Sequence, residues 1–265
     1  MKKFLTIVRA FWQRSLTYRF TILSYRLGEI GETIVLILMW SAVYEGQGEV
    51  IKGFTLQEMM TYILVGNFFN VLIRNFLAEV VGRDIREGRL SMFLVRPMGY
   101  FSYILSQEVG RISVSTMMSV LSQAIVIAFF WRAFLWNFDL LYLLVLVLML
   151  LLAFFTELLL SFLVGLVAFW IDEIDGIYST IERVRRFFSG GYFPLSLLPA
   201  ALAQISFFLP FSYSFFVPAQ LYLKKIDLMT GLQGLAVQTA WILLLLLAIR
   251  LVWKRGLRRY EGVGI

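Results

Sequence analysis

The sequence predicts an all-α membrane protein with six transmembrane helices. Of its 265 residues, 60% are hydrophobic and only 15% are charged, whereas an average soluble domain has about 45–50% apolar and about 25% charged residues. The apolar residues gather in blocks of about 20, the length that a helix needs to cross a hydrocarbon core of about 30 Å. Short polar or basic segments separate these blocks, as in a multi-pass protein.

The missing residue types exclude several kinds of chemistry. The chain has no cysteine and no histidine, which excludes disulfides, Cys/His zinc sites and a Ser-His-Asp relay. It also has no Gly-Lys-Ser or Gly-Lys-Thr sequence, and therefore no phosphate-binding P-loop. We expect no metal and no cofactor in this chain. If the protein uses ATP, another chain must hydrolyse it.

Residues 1–20 predict an amphipathic helix that lies in the membrane interface. At helical spacing Phe4, Val8 and Phe11 share one face, while Lys3 and Arg9 share another. Such a helix turns its basic face toward lipid headgroups. We therefore expect an interfacial helix over residues 1–20 that contacts membrane lipids, followed by one six-span domain over residues 21–265.

Five of the spans follow from apolar length. We predict them at residues 21–44, 56–81, 104–131, 140–170 and 235–253. The fourth has a single charge, Glu157, and at about 31 residues it must be tilted or extend beyond the bilayer. Asp172, Glu173 and Asp175 follow it and predict a water-exposed helix start.

The remaining span allows two interpretations. It either covers residues 176–193, or residues 172–186 form an interfacial helix and the span begins at residue 187. Prolines then interrupt the apolar stretch, and a straight helix cannot contain them without losing backbone hydrogen bonds. We favour the first interpretation, followed by a re-entrant outer hairpin between spans five and six. Its marker residues are Gly190, Pro194, Pro199 and Pro210.

The basic residues predict the orientation of the spans. With six spans, residues 1–26, 83–96 and 254–259 lie on one side with fourteen Lys or Arg, against four in the other loops. Basic loops stay in the cytosol, so we expect both termini to be cytosolic. The net charge is +7, and the basic residues that cause it flank the spans. This placement favours lipid contact over nucleic-acid binding.

The basic stretch between spans two and three predicts a short cytosolic helix in the loop at about residues 82–100. Gly88 can end the preceding helix in a left-handed conformation, and Pro97 can break the next. Apolar and arginine side chains together are typical of a protein-docking surface. The candidate docking residues are Arg86, Glu87, Gly88, Arg89, Leu90, Phe93, Leu94, Arg96 and Pro97. The alternative is a loop held by lipid headgroups for orientation only.

Two motifs resemble a known family, the type-2 ATP-binding-cassette (ABC-2) export permeases. Glu87-Gly88-x-Leu90, followed by Leu94-Val95-Arg96-Pro97, is similar to a motif in that family's loop between spans two and three. The stretch from Ser189 to Leu195, with Pro199 and Leu209-Pro210-Phe211, is similar to its motif after span five.

The resemblance implies a permease subunit in a bacterial-type cell membrane. It would pair with a second permease half, identical or similar, and with two cytosolic ATPase subunits that bind ATP and magnesium. The loop between spans two and three would dock on the ATPase as a coupling helix. The resemblance does not name the exported substrate, since function belongs to sites and not to folds.

Polar residues within the predicted spans are candidates for the substrate path: Asn67, Asn70, Arg74, Arg183 and Arg186. An arginine near the bilayer centre costs about 2.5–3.5 kcal/mol on insertion scales, so it should face protein or water. Positive charge on this path would favour an anionic or amphipathic cargo. The alternative is internal pairing, of Glu182 with Arg186 or of Arg74 with Glu79.

Two other classes of function remain open on the sequence. An intramembrane enzyme on lipid-linked substrates would use Glu29, Glu32 or Glu157 as acid or base, although they form no recognisable motif. An ion channel or a structural membrane subunit is the other alternative. Conductance without nucleotide would identify a channel.

Overall fold

The computed structural model describes residues 2–17, 19–95, 98–171 and 175–260. This part of the chain is almost entirely helical, with one small β-hairpin, β1 (Val50–Ile51) paired antiparallel with β2 (Phe54–Thr55). The helices are α1 (Lys2–Thr17), α2 (Arg19–Gln47), α3 (Leu56–Ile73), α4 (Leu77–Arg86), α5 (Leu90–Leu94), α6 (Tyr100–Phe129), α7 (Leu140–Gly165), α8 (Asp175–Ser189), α9 (Ala200–Phe208), α10 (Phe216–Tyr222) and α11 (Leu228–Arg259). Short 3₁₀ helices cover Leu166–Phe169, Leu195–Leu197 and Pro210–Ser214.

The predicted all-α, multi-pass architecture is confirmed. Five helical segments in the described residues are long and apolar enough to cross a membrane: Leu23–Gly46, Leu56–Arg86, Tyr100–Phe129, Leu140–Phe169 and Leu228–Arg259. A sixth candidate is the pair Ala200–Phe208 and Pro210–Tyr222, which is bent by 74° and is either a broken span or a re-entrant loop.

α8, which lies where the sequence predicts the fifth span, departs from both interpretations of the sequence. α8 has 15 residues, which at 1.5 Å per residue makes it about 22 Å long, shorter than a hydrocarbon core of about 30 Å. It is also continuous through Phe187, where the second interpretation starts a new span. It ends at Ser189 because Gly190 has φ +85°, a left-handed conformation that stops a helix. Asp172 and Glu173 lie outside the described residues.

Aromatic side chains fill the core around the β-hairpin, at what we call the β-hairpin end of the bundle. Thr55 caps α3 through a reciprocal capping box with Glu58. Tyr62, about two helical turns after Thr55, is fully buried, and its hydroxyl donates to the Gly190 carbonyl oxygen at 2.7 Å. The rings of Phe215 and Phe216 lie 5.6 and 6.3 Å from the Tyr62 ring. Because Tyr62 contacts Gly190, the end of α8 lies beside the first half of α3.

A second cluster holds together the opposite end, which we call the basic end because the arginines of α4 and of the last turns of α11 lie there. Tyr100 at the start of α6 stacks on Trp253 of α11, with ring centroids 5.8 Å apart. Gly256 permits this approach of α11, since a Cβ there would overlap the ring of Phe169. α1 packs on the first half of α6, where Phe11 meets the edge of the Tyr103 ring at 6.4 Å.

Candidate functional site

The second span is interrupted, although the sequence predicts a continuous helix over residues 56–81. α3 ends at Ile73 and α4 begins at Leu77. Side chains replace the lost helical hydrogen bonds: the Asn75 Oδ1 atom accepts from the Leu77 N–H at 3.2 Å, and the Tyr178 hydroxyl donates to the Asn75 carbonyl oxygen at 2.9 Å. Irregular backbone within a membrane is tolerated where it is packed in protein or lines a cavity. This interruption therefore indicates where a functional cavity should lie.

Two adjoining cavities meet at the interruption. The first, the central cavity, has a volume of about 430 Å³ and lies between α2, α3, α6 and α8. The second, the basic-end cavity, has a volume of about 610 Å³ and lies between α1, α2, α4, α5 and α6. Both fall within the range of about 300–1,000 Å³ typical of ligand sites. The residues that line both are Glu29, Val71, Arg74, Phe76 and Glu79.

All five residues predicted for the substrate path line the central cavity: Asn67, Asn70, Arg74, Arg183 and Arg186. The spacing along the chain does not reveal this meeting, because the first three lie on α3 and its end and the last two lie on α8. The two helices are brought together by the contacts of Tyr178 with Asn75 and of Tyr62 with Gly190. Contact of these five residues with substrate stays a prediction.

Arg185, an arginine of the same predicted span as Arg183 and Arg186, is the buried arginine of this region, with 5% of its surface exposed. Its guanidinium donates to the two oxygens of Glu182 at 2.5 and 2.9 Å, to Glu157 at 3.5 Å and to Asn70 Oδ1 at 3.4 Å. The internal pairing weighed as the alternative is therefore observed, but Glu182 pairs with Arg185 and not with Arg186. The i,i+3 spacing of Glu182 and Arg185, together with the lone Glu157 in an apolar span, was a usable signal for this network.

The other arginines of the cavity also differ from the expected pairing. Arg186 forms an ion pair with Glu32 of α2, and its guanidinium carbon lies 4.7 Å from the Tyr192 ring centroid. Arg74 approaches Glu29 at 3.9 Å, whereas Glu79 was the expected partner. Glu29 is bound more closely by Arg26, at 2.6 Å.

Charges in the central cavity are balanced. Its lining has four arginines and four glutamates: Arg74, Arg183, Arg185, Arg186, Glu29, Glu32, Glu79 and Glu182. The predicted preference for an anionic cargo therefore has no support from this cavity.

The carboxylates of the enzyme alternative lie in ion pairs: Glu29 with Arg26, Glu32 with Arg186 and Glu157 with Arg185. Among the described residues, no group of three or more Asp and Glu side chains could hold a metal ion.

The stretch after α4 has the predicted turn and short helix. Gly88 has φ +72°, the left-handed conformation expected after a helix end, and α5 follows at once. Arg89 pairs with Glu87 and lies 4.0 Å from Asp84. Hydrogen bonding to the Glu87 carboxylate raises the pKa of Arg89. Arg96, Pro97 and the side chain of Leu94 lie outside the described residues.

Two of the apolar side chains predicted as docking residues on α5 are buried within this chain, and docking itself stays a prediction. Leu90 is fully buried and Phe93 is 9% exposed, because Phe93 packs on the rings of Tyr100 and Tyr103 at 5.3 and 4.6 Å. These two side chains hold α5 on the bundle and offer no surface to a partner. The exposed apolar side chains are Met92 and Val95, at 50% and 85%.

The marker residues of the predicted outer hairpin lie at breaks in the backbone. Gly190 ends α8, and Pro199 precedes α9. Pro194 precedes one 3₁₀ helix and Pro210 begins another. A 74° bend follows α9.

Ion pairs fasten the loop before α11 at the β-hairpin end. Lys224 donates to Asp139 at 2.9 Å, and Lys225 lies 2.8 Å from Glu58. Asp139 caps α7 and Asp227 caps α11. Hydrogen bonds from Lys224 and from Thr230, respectively, lower the pKa of these two aspartates.

Comparison with protein families gives a match over most of the chain. A family model described as "ABC-2 family transporter protein" matches residues 30–264. A comparison with curated proteins found no match. The matched region includes α2 from Ile30 onward, the α4–α5 turn and the later helices up to α11, but not α1. The chain therefore belongs to the ABC-2 family of transporter proteins and is a multi-pass membrane protein of that family.

Proposed function

We propose that this chain is the permease subunit of an ATP-binding-cassette exporter, moving an amphipathic substrate outward with ATP that a separate subunit hydrolyses. The family match supports a transporter, and the sequence has no P-loop with which to bind ATP itself. ATP and magnesium would bind to the partner ATPase. The proposed complex has two permease halves, identical or similar, in a bacterial-type cell membrane, with the basic end and both termini in the cytosol.

The observation that carries this proposal is the mounting of α5. The helix is fixed to the bundle through Leu90 and Phe93, while Met92 and Val95 face outward. The Ser91 N–H donates to the Tyr260 hydroxyl at 3.2 Å, which links α5 to the end of α11. The Tyr100 hydroxyl donates to Asp84 at 3.0 Å, which links α6 to α4. A force on Met92 and Val95 would therefore reach three spans through packed contacts.

We also propose that residues 190–222 form a re-entrant hairpin that enters from the outer side. The segment starts at Gly190, beside Tyr62, and ends at Tyr222, whose hydroxyl donates to the Leu135 carbonyl oxygen at 3.1 Å. Both contacts lie near the β-hairpin end. Between them, the Tyr213 carbonyl oxygen accepts from Gln238 at 2.9 Å. Gln238 lies about 15 Å along α11 from Leu228, at 1.5 Å per residue. These contacts support a chain that enters the bundle and returns to the same end.

Co-purification with an ATP-binding-cassette ATPase from the same organism tests the proposal. The variant Met92→Asp with Val95→Asp should lose the ATPase while it elutes from size-exclusion chromatography like the unmodified chain, since neither side chain contributes to the core. The matched control is Val50→Asp at the opposite end, where an equally exposed apolar side chain should be replaceable without loss. Retention of the ATPase by the double variant would contradict the proposed coupling helix.

A further inference from the structure

The basic-end cavity differs from the central cavity in its charge. Its lining has six arginines against three carboxylates, Glu29, Glu79 and Asp84. None of these carboxylates lacks a partner: Arg26 binds Glu29, Tyr100 binds Asp84, and Glu79 also has an interaction of its own. The excess positive charge is therefore available to a ligand.

Several of these arginines have unused hydrogen-bond donors. Within the described part of the chain, Arg14 and Arg83 form no ion pair and Arg74 donates no side-chain hydrogen bond. Arg111 uses Nε for Glu108 at 2.6 Å and Nη2 for the Arg74 carbonyl oxygen at 3.2 Å. A guanidinium has five N–H donors, so Arg111 also keeps donors free.

Phe76 brings two of these cations together. The guanidinium carbons of Arg74 and Arg111 each lie 5.3 Å from the centroid of its ring. A cation over an aromatic ring is attracted by the ring quadrupole, which offsets the mutual repulsion of the two charges. The interrupted backbone at Asn75 places Phe76 next to both arginines. The interruption of the second span therefore helps to bring the two guanidinium groups together.

The same cavity offers apolar surface next to the arginines. Phe11 of α1 and Tyr103 of α6 line it together in edge contact. Tyr25, also in the lining, is 56% exposed. These side chains leave the cavity open beside α1, which the sequence predicts to lie in the membrane interface, where lipid tails reach a protein.

We infer that the basic-end cavity binds the phosphate-bearing headgroup of a lipid amphiphile, with Arg14, Arg74, Arg83 and Arg111 on the phosphate and Phe11, Tyr25 and Tyr103 along the first part of the tails. Planar guanidinium groups match phosphate oxygens in a bidentate geometry. This site deepens the proposed function, on which it rests, by giving the chemical class of the exported molecule. Of the five residues predicted for the substrate path, only Arg74 lines this cavity.

Titration of the purified chain in detergent separates the parts of this inference. The probe is dioctanoyl phosphatidic acid; inorganic phosphate supplies the anion without tails, and dioctanoylglycerol supplies the tails without phosphate. Phosphatidic acid should bind at least tenfold more tightly than either. Equal binding of inorganic phosphate would overturn the lipid assignment, and equal binding of dioctanoylglycerol would overturn the phosphate assignment.

A matched pair of variants locates the site. Arg74→Gln with Arg83→Gln should weaken phosphatidic acid binding at least tenfold. Each of the two arginines is expected to form a charge-assisted hydrogen bond with the phosphate, and such bonds contribute strongly to binding affinity. Arg255→Gln with Arg258→Gln removes two exposed arginines from α11 at the same end and should leave binding within twofold. Unchanged binding by the first pair, or equal weakening by the second, would overturn the inference. The melting temperature without ligand shows that each variant is folded.

The lipid-binding measurement uses the purified chain alone, without nucleotide and without the partner ATPase. ATPase co-purification on the same variants distinguishes failure of this site from failure of the proposed function, since neither pair of arginines includes Met92 or Val95.

Discussion

The Tyr178 hydroxyl donates to the carbonyl oxygen of Asn75 at 2.9 Å, so a side chain of α8 completes the backbone of the second span. The two residues are 103 positions apart. No property of either sequence segment alone predicts the bond.

Tyr178→Phe should destabilise the protein by about 1–3 kcal/mol, because it leaves the backbone carbonyl of the buried Asn75 without its donor. The ring is retained, so little packing is lost. Thermal unfolding in detergent, followed by tryptophan fluorescence, measures the effect. Tyr142→Phe is the control, since the Tyr142 ring receives Lys224 on its face while its hydroxyl forms no hydrogen bond with a described residue. An equal loss in both variants would show that the Asn75 bond contributes nothing.

The buried network of Arg185 predicts non-additive effects. Arg185→Met leaves Glu157 without its arginine in the interior, and removing one partner of a buried pair costs about 3–5 kcal/mol. Adding Glu157→Leu should recover part of that loss, because the second charge then disappears as well. Unfolding of both single variants and the double variant measures the coupling.

Arg183→Met is the comparison for this network. Arg183 is exposed on the same helix, and surface substitutions usually change stability by no more than about 0.5 kcal/mol. Simple additivity of Arg185→Met and Glu157→Leu would contradict the observed geometry.

Glycine substitutions in two long helices should have opposite signs. Gly31→Ala in α2 has open space around the new methyl group and should stabilise by up to about 1 kcal/mol through helix propensity. Gly256→Ala in α11 should destabilise by about 1–3 kcal/mol, because the methyl group overlaps the ring of Phe169. The change in melting temperature of each variant gives the sign.

A second substitution identifies the cause at Gly256. Phe169→Leu removes the ring and should reduce the added penalty of Gly256→Ala when both changes are combined. A full penalty in the double variant would mean that the alanine acts elsewhere.

Acid should loosen the caps at the β-hairpin end. The pKa of Asp139 is lowered in the folded chain by Lys224, so its contribution is fully present above the unfolded value of about 3.9 and is lost as the pH falls through the lower, folded value. Between pH 6 and pH 3 the melting temperature of Asp139→Asn should therefore fall less than that of the unmodified chain. Asparagine keeps the capping ability and removes only the titration. Parallel curves for the two proteins would contradict this contribution.

The sequence predicted features that depend on local chemistry. The length of the apolar blocks predicted the multi-pass helical fold, and Gly88 has the predicted left-handed backbone conformation after α4. The polar residues chosen for the substrate path do line one cavity, because charged and amide groups in a span must face protein or water.

Features decided by contacts between distant segments were missed. The interruption at Asn75 lies in an apolar stretch of helical length and is stabilised by Tyr178 and Arg111 from other helices. Leu90 and Phe93 looked like docking residues because a short basic loop is normally exposed. The aromatic start of α6 buries them instead.

The interruption divides the second span into two rods joined at Asn75. The rod nearer the β-hairpin end is fixed by Thr55 and Tyr62, while the other continues into the turn at Gly88. Rotation of the two halves about this joint would let a force on α5 open the bundle at the basic end while the β-hairpin end stays closed. A transport cycle would then require only the half of the span after Asn75 to move.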